Sequence, residues 1–520
     1  MEAKTVPDSP AGAAEATGRG AGSGGPHAAR PAADLLGYLS RWPFLTASIA
    51  CFVVAALSAA VLPTVPSYDP WSWIVWGRAV FDPHLSFSVG GGPSWKPLPV
   101  MFTTIFGLFG GAAPTLWVIT ARAGGLLGVV AAYRLGAQLA RRVSPGLTWG
   151  PAVAGVIAAI GIVLTQEWAY YMYRGTSEPM LIACSLWAID RHLAARYTPA
   201  FLMGVGAALI RPEAWPFIFV YAIWLWRREP RMRVLLVAGL FAIPFLWFVP
   251  PWIGSGQPFL AASHAKAYNG HLGKHKLLEV LRRGGDLQVL PMLVLALAGV
   301  ALCWWRDRDR LIVGLAGAAA AWWVLVVAMT LDGYPGLERF YLPAAGLTCV
   351  LAGVGVVRIA RAASDAAASR PRLAAHASLA GIGVVVLLVV LSIPLTSSRI
   401  NEARAQNAIA NRAVTRLDQL SAAVAAVGGR SAVYPCRSSF AAVNHGVQTA
   451  LAWKLHVTLG RVGTSMSHRG VLFVGPHDSI DGGPAAIDPR LTRHQLLATV
   501  GAWKVYRVWR DGHLSACVGR

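Results

Sequence analysis

The sequence predicts an all-α polytopic membrane protein of about eleven spans, with interfacial helices in its first outer loop and a small C-terminal α/β domain outside the membrane. Three observations carry that prediction. Of 520 residues, 55% are hydrophobic and only 13% charged, about half the charge of an average soluble chain; the mean hydropathy is +0.50. Apolar runs of about 17–25 residues recur, the length that crosses a bilayer. Between them stand Arg-rich loops that all fall on one side of the alternation, as inner loops do.

The charge and the cysteines limit the function classes. There are 46 Lys and Arg against 24 Asp and Glu, a formal net charge of +22. In a soluble chain a pI near 10.4 raises nucleic acid as a partner. Here many of the arginines sit in short loops between spans, so the charge reports topology and no nucleic acid is expected. The six cysteines form no CxxC and no Cys/His cluster of zinc spacing. Cys51, Cys184, Cys303 and Cys349 lie in apolar runs and read as small core residues.

Residues 1–40 are rich in Ala, Gly, Pro and Ser with no apolar period, which predicts a disordered cytoplasmic arm. The first apolar run begins only near Phe44, too late for a signal peptide. The transmembrane domain occupies 41–397. Its first span, 44–63, follows Arg41 and runs outward, so the stretch from Tyr68 to Pro99 (YDPWSWIVWGRAVFDPHLSFSVGGGPSWKPLP) lies outside. The segment 98–112 is short and Gly-punctuated and reads as re-entrant or interfacial. Further spans are expected at 115–140, 150–166, 177–194, 199–211, 214–227, 233–252, 287–305, 311–331, 340–358 and 376–396. This places RRVSPG, RHLAARY, RREPRMR, RDRDR and RIARAASDAAASRPR inside, the N-terminus inside and the C-terminus outside, in a plasma membrane.

Residues 398–520 form the extracytoplasmic domain. A polar helix (NEARAQNAIANRAVTRLDQLSAAVAAV) leads into strand-like runs SAVYPC, GVLFVGP and WKVYRVW, with a helical segment around 441–456. In an oxidising compartment Cys436 and Cys517 would bridge and close the domain, two open thiols being the alternative.

Ionisable residues at span mouths are costly and are therefore candidates for function. Asp69, Arg78, His84, Lys96, Arg122, Arg174, Glu178, Arg211, Glu213, Glu338 and Arg339 come from different loops, yet the topology puts them all on the outer face. Cations and indoles around a carboxylate suit a lipid-linked substrate that carries a phosphate. Transfer of a sugar from a polyprenyl phosphate needs a base for the acceptor hydroxyl and cations for the departing phosphate. Asp69 is the acid best placed as base; a helix cap or an Asp-Pro turn is the other reading. Lys96, Arg122, Arg211 and Arg339 are the phosphate candidates, with snorkelling to headgroups as their alternative. Trp71 and Trp95, with Arg78, His84, Arg174, Glu178 and Glu213, are the substrate-binding candidates, an interfacial aromatic belt being the other reading of the tryptophans. His264, His271 and His275 share an outer loop with three lysines, and an exposed basic loop explains them better than a metal or an anionic acceptor. Asp69 with Glu178 or Glu213 has the chemistry to hold a divalent ion, but no residue pattern requires one. There is no GxxxxGK[ST], HExxH or GxSxG.

The order of these elements resembles the GT-C membrane glycosyltransferases, in particular the branch of the protein O-mannosyltransferases and the lipid A aminoarabinose transferases. The residues that carry the resemblance are Asp69 after the first span, Trp95-Lys96-Pro97 before a short amphipathic helix, Arg122 in TARAGG, GTSEPM with Glu178, IRPEAW with Arg211, and RFYLPA. It covers roughly 44–360. One departure is Asp69-Pro70, where that branch commonly has an Asp-Glu pair. The resemblance implies inverting transfer from a polyprenyl-phosphate donor, with mannose or arabinofuranose the first sugars to consider. The acceptor would be an extracytoplasmic envelope glycan, glycolipid or protein. It also adds Tyr341 of RFYLPA to the substrate-binding set. A flippase for a lipid-linked precursor is the main rival, but no internal repeat of broken spans supports it. A non-catalytic envelope scaffold is the second.

Overall fold

The computed structural model describes residues 43–80, 93–267, 272–273, 275–436, 438–478, 480 and 482–510. The predicted arm 1–40, His84, His271 and Cys517 lie outside them. In chain order the helices that matter are α1 (Pro43–Ser58), α2 (Tyr68–Ala79), α3 (Pro97–Gly107), α4 (Ala113–Val143), α5 (Gly150–Val163), α6 (Trp168–Arg174), α7 (Glu178–Leu193), α8 (Tyr197–Ile210), α9 (Trp215–Arg228) and α10 (Arg233–Ser255). They continue as α11 (Leu260–Ala267), α12 (Lys276–Asp286), α13 (Leu290–Leu302), α14 (Arg310–Leu331), α15 (Leu342–Ala368) and α16 (Ala377–Ala426).

A helix stands at every predicted span. By length and apolarity six segments qualify to cross a bilayer: Gly110–Val143, Pro230–Ser255, Leu290–Asp307, Arg310–Leu331, Glu338–Ala368 and Ala374–Ala426. The pair α5–α6, bent by 69°, makes a seventh if it is one broken span. The other helices are shorter or carry more charge, so the predicted eleven counts helices, of which six or seven meet the crossing criterion. The segment expected to be interfacial is the short helix α3.

The bundle is built around α15, whose apolar window is wholly buried. Glycines let its neighbours approach. A methyl group on Gly355 would meet the Leu295 carbonyl of α13, and one on Gly353 the Ala154 carbonyl of α5. Small residues at such crossings allow backbone contact where lipid offers no hydrophobic drive to pack. Helix α16 is the opposite case, with only 6% of its apolar window buried. Its Leu387, Val390 and Ile393 are exposed, as suits a flank bathed in acyl chains. Helix α2 packs on α3 through Gly77, where a side chain would strike the Thr103 backbone; Thr103 Oγ1 donates to the Trp73 carbonyl at 2.7 Å.

The predicted boundary at 397/398 falls inside α16, a single helix of 50 residues. The apolar-to-polar change there marks a change of surroundings, not a break in the backbone. Beyond it lie a short helix α17 (Gly429–Val433), β1 (Phe440–Val443), α18 (Gln448–Lys454), β2 (Val462–Gly463), β3 (Ser465–Met466), β4 (Gly470–Val474), β5 (Ala486–Ile487), β6 (Arg493–Val500) and β7 (Trp503–Trp509). The main sheet has the order β2-β1-β4-β7-β6. In it β1 runs parallel to β2 and β4, while β7 is antiparallel to β4 and β6. GVLFVGP and WKVYRVW are strands as expected. SAVYPC is not: Gly428 and Gly429, at φ 89° and 69°, reverse the chain after α16 and start α17, and the strand comes later at Phe440. Cys436 is disulfide-bonded, and Cys51, Cys184, Cys303 and Cys349 are free.

Candidate functional site

Four of the charged candidates precede a proline at a helix mouth: Asp69-Pro70, Lys96-Pro97, Glu178-Pro179 and Arg211-Pro212. Proline suits the first turn of a helix, where its missing N–H would have no partner, and it drives the preceding residue out of helical conformation. Lys96 (φ −138°, ψ 114°) and Arg211 (φ −145°, ψ 131°) are extended for this reason. Their side chains leave the helix ends and turn into a common cavity. Arg339 comes from the 3-10 turn Glu338–Tyr341 that opens α15.

The cavity has a volume of about 500 Å³ and is lined by Asp69, Lys96, Glu178, Arg211, Glu213 and Arg339 together with Tyr68, Trp73, Trp215 and Trp247. Glu178 is its anchor. Its Oε1 accepts from Lys96 Nζ at 3.1 Å and from Arg211 Nη2 at 2.7 Å, and its side chain is 1% exposed. Lys96 Nζ also donates to Ser177 Oγ at 2.7 Å and lies 5.1 Å from the Trp73 ring centre. Arg211 Nη1 reaches Glu213 Oε1 at 3.3 Å, and its guanidinium stacks 4.4 Å over Phe340. Three cations thus meet three carboxylates, and burial is tolerable because nearly every charge is paired.

The pairing is incomplete at one end. Arg339 Nη1 stands 3.8 Å from Asp69 Oδ2, beyond hydrogen-bond range. Among the described residues, Arg339 Nε, Arg211 Nε and Glu213 Oε2 are buried without a partner. A buried donor left open carries a desolvation cost, which an incoming anion would remove. Asp69 is 21% exposed and held loosely, and its oxygens remain available to a substrate.

Other predicted residues lie elsewhere. Arg122 is occupied by the Ser58 hydroxyl at 2.7 Å and the Pro63 and Met172 carbonyls at 2.9 and 3.3 Å; it borders a second cavity of about 390 Å³ with Arg399 and Glu402. Arg78 donates to the Val457 and Trp453 carbonyls at 2.9 and 3.3 Å and covers the Trp453 ring at 4.6 Å. It therefore grips the C-terminal domain, and Trp71 faces the same Trp453. Trp95 is buried, donating to the Leu246 carbonyl at 3.0 Å. Tyr341 packs on Trp323 with ring centres 4.6 Å apart. Arg174 borders a small groove with Trp71 and Leu417. Glu338 pairs with Arg283 at 3.7 Å.

Two histidines of the lining are not among the site residues that the sequence predicts. His264, read as part of an exposed loop, is half-buried and closes one wall with Pro258 and Phe259. His445 reaches the cavity from the C-terminal domain, 376 positions after Asp69, and no local motif announces it. Among the described residues no three His, Cys, Asp or Glu side chains are grouped to hold a metal ion.

No protein-family profile matches the chain, and no curated protein matches it by sequence. Solved structures do match in shape. ArnT from Cupriavidus metallidurans bound to undecaprenyl phosphate superposes with a TM-score of 0.51 at 14% identity, covering 92% of this chain and 99% of that one. The same protein in the apo state gives a TM-score of 0.51 at 15% identity, covering 90% and 98%. The superposition spans both the helical bundle and most of the C-terminal domain, so the chain has the fold of ArnT.

Proposed function

We propose that the protein is a polyprenyl-phosphate-dependent glycosyltransferase, acting on the outer face of a plasma membrane with its N-terminus inside and its C-terminal domain outside. The observation that carries this reading is the single cavity that gathers a loosely held carboxylate, Asp69, with three cations, two of which keep open donors. Undecaprenyl phosphate bound to a structure of the same fold supports a lipid phosphate as the group those cations receive.

Asp69 takes the proton of an acceptor hydroxyl as its oxygen attacks the anomeric carbon. The bond from that carbon to the phosphate oxygen breaks on the opposite face, and the configuration inverts. The phosphate leaves as an anion that needs no proton. Arg339 and Arg211 receive the charge through their free Nε groups, a use to which the planar guanidinium is suited. Lys96, locked between Glu178 and Ser177, adds a fixed positive charge behind them. Mannose and arabinofuranose are the donor sugars we assign first, and the acceptor is an envelope component.

The test compares membranes that hold the native chain with those that hold Asp69→Asn, at matched protein level, given labelled polyprenyl-phosphate sugars and native acceptors. Transfer should fall about 10³-fold or more in the variant, the scale of losing a general base and its charge, while undecaprenyl phosphate still binds. Transfer that survives would move the base to Glu213 or Glu178. No transfer by the native chain from any donor would sink the reading in favour of a flippase or a scaffold.

A further inference from the structure

The residue that immediately precedes the proposed base is held from outside the bundle. Tyr68 donates its hydroxyl to Gln448 Oε1 at 3.0 Å. Its main-chain carbonyl accepts from Thr449 Oγ1 at 2.9 Å, and its ring stacks on His445 at 4.7 Å with an interplanar angle of 24°. All three partners belong to one short stretch of the C-terminal domain, the turn after β1 and the first residues of α18.

That turn is rigid. Asn444 is fully buried; its Nδ2 donates to the Pro476 carbonyl at 3.0 Å, and its Oδ1 accepts the Gly475 N–H at 3.0 Å. The His445 N–H donates to the Gly483 carbonyl at 3.2 Å. Gln448 Nε2 is tied to the Val462 carbonyl at 2.6 Å. His445 is thus an exposed ring on a fixed mount, and it lines the same cavity as Asp69.

The two sides of the cavity have different chemistry. Lys96, Arg211 and Arg339, suited to phosphate, come from the bundle. The C-terminal domain contributes no cation to the lining, only an imidazole stacked on a phenol beside the base. Flat rings with polar edges at the mouth of a polar cavity suit the C–H face of a sugar with its hydroxyls turned to a carboxylate. We propose that the Tyr68–His445 pair is the acceptor subsite and that it selects a sugar ring, so that the acceptor is a glycan or glycolipid rather than a protein side chain. The C-terminal domain is then part of the active site: it holds Tyr68, and through it Asp69, in position. This rests on the transferase reading above.

The experiment uses the full chain with His445→Ala and His445→Phe, the latter keeping a ring to stack on Tyr68. His445 is exposed, so neither variant disturbs a core. Two readouts are taken: affinity for undecaprenyl phosphate by intrinsic tryptophan fluorescence, and transfer of label from the best polyprenyl-phosphate donor into a native envelope extract separated into protein and glycan fractions. We expect His445→Ala to leave undecaprenyl phosphate affinity unchanged and to lower transfer about tenfold, the loss expected for one aromatic platform. Most of that transfer should return in His445→Phe, and label should enter the glycan fraction. Equal transfer in His445→Ala and the native chain overturns the proposal, as does a parallel fall in undecaprenyl phosphate affinity. So does a Phe variant no better than Ala, or label found in protein. A native chain that transfers nothing removes the transferase reading, and this inference with it.

Discussion

Two arginines on one helix show what separates a site from a strut. Arg339 stands in the turn that opens α15; Arg358 lies within the helix, about 28 Å further along at roughly 1.5 Å per residue. Arg358 is 5% exposed and takes both oxygens of Asp307, at 2.5 and 2.7 Å. Nearby, Arg142 holds Asp309 at 2.7 Å while that carboxylate caps α14 through the Leu311 and Ile312 amides. Arg339 is 35% exposed, makes only a 3.8 Å approach to Asp69, and keeps its Nε open. Residue type alone does not tell these arginines apart. Arg358 also keeps one buried donor, Nη1, without a partner among the described residues. The difference is that one carboxylate of the protein takes its Nε and Nη2, whereas none of the described carboxylates lies within hydrogen-bond range of Arg339.

Removing the anchor of the polar cluster should have the largest effect of all. Glu178→Ala would leave Lys96 and Arg211 facing each other, with Arg339 close by and no carboxylate between them. Breaking a buried pair from one side costs about 3–5 kcal/mol, so both thermal stability and transfer should collapse. A stable, active Glu178→Ala protein would show that the cluster is less buried than its geometry implies. The next pair tests the comparison directly. Arg358→Ala leaves the exposed Asp307 unpaired and should destabilise the chain by about 1–2 kcal/mol, the worth of charge-assisted hydrogen bonds to a solvated carboxylate, with undecaprenyl phosphate affinity unchanged in the protein that remains folded. Arg339→Ala should do the reverse: little change in thermal midpoint, and affinity lower by about 10–100-fold, the worth of a charge-assisted contact. If the two variants exchange phenotypes, the lack of a bound carboxylate is not the mark of the site.

The bundle and most of the site's cast were legible because both rest on local rules. Apolar runs, Arg-rich loops and proline at helix mouths each act within a few residues, and they placed Asp69, Lys96, Glu178, Arg211, Glu213 and Arg339 on one rim. Which of the outer charges meet was not legible. Arg122 and Arg78 are outer-face cations like Arg211, though each precedes an alanine rather than a proline; they hold a loop and a domain, because their distances to Ser58 and Val457 are set by packing. His445 shows the limit more sharply. It reaches the cavity only through the crossover from β1 to α18 and the docking of α18 on α2. Proline carries much of the site's signal: four of its charges, Asp69, Lys96, Glu178 and Arg211, are each followed by one.

The smallest effect belongs to the contact that docks the domain. Arg78 binds two carbonyls of the segment Trp453–Val457 and approaches His456 Nδ1 at 3.5 Å. Burial, with the positive charges of Arg78 and Arg430, holds the His456 imidazole below its ordinary range. The neutral ring is therefore favoured in the docked state. A histidine depressed in this way contributes stability above its unfolded value, about 6.5, and loses it as the pH falls through that value. Arg78→Met removes one cause of the depression along with two hydrogen bonds. Transfer should fall only about threefold at pH 7.5, the worth of a partly exposed contact, with undecaprenyl phosphate affinity unchanged. The part of the loss of domain protection between pH 7.5 and 5.5 that His456 causes should become shallower, as read by hydrogen exchange over residues 445–457. A steeper acid loss in Arg78→Met would mean that Arg78 stabilises the protonated ring, and it would reverse the charge argument for docking while leaving the open fork of Arg339 untouched.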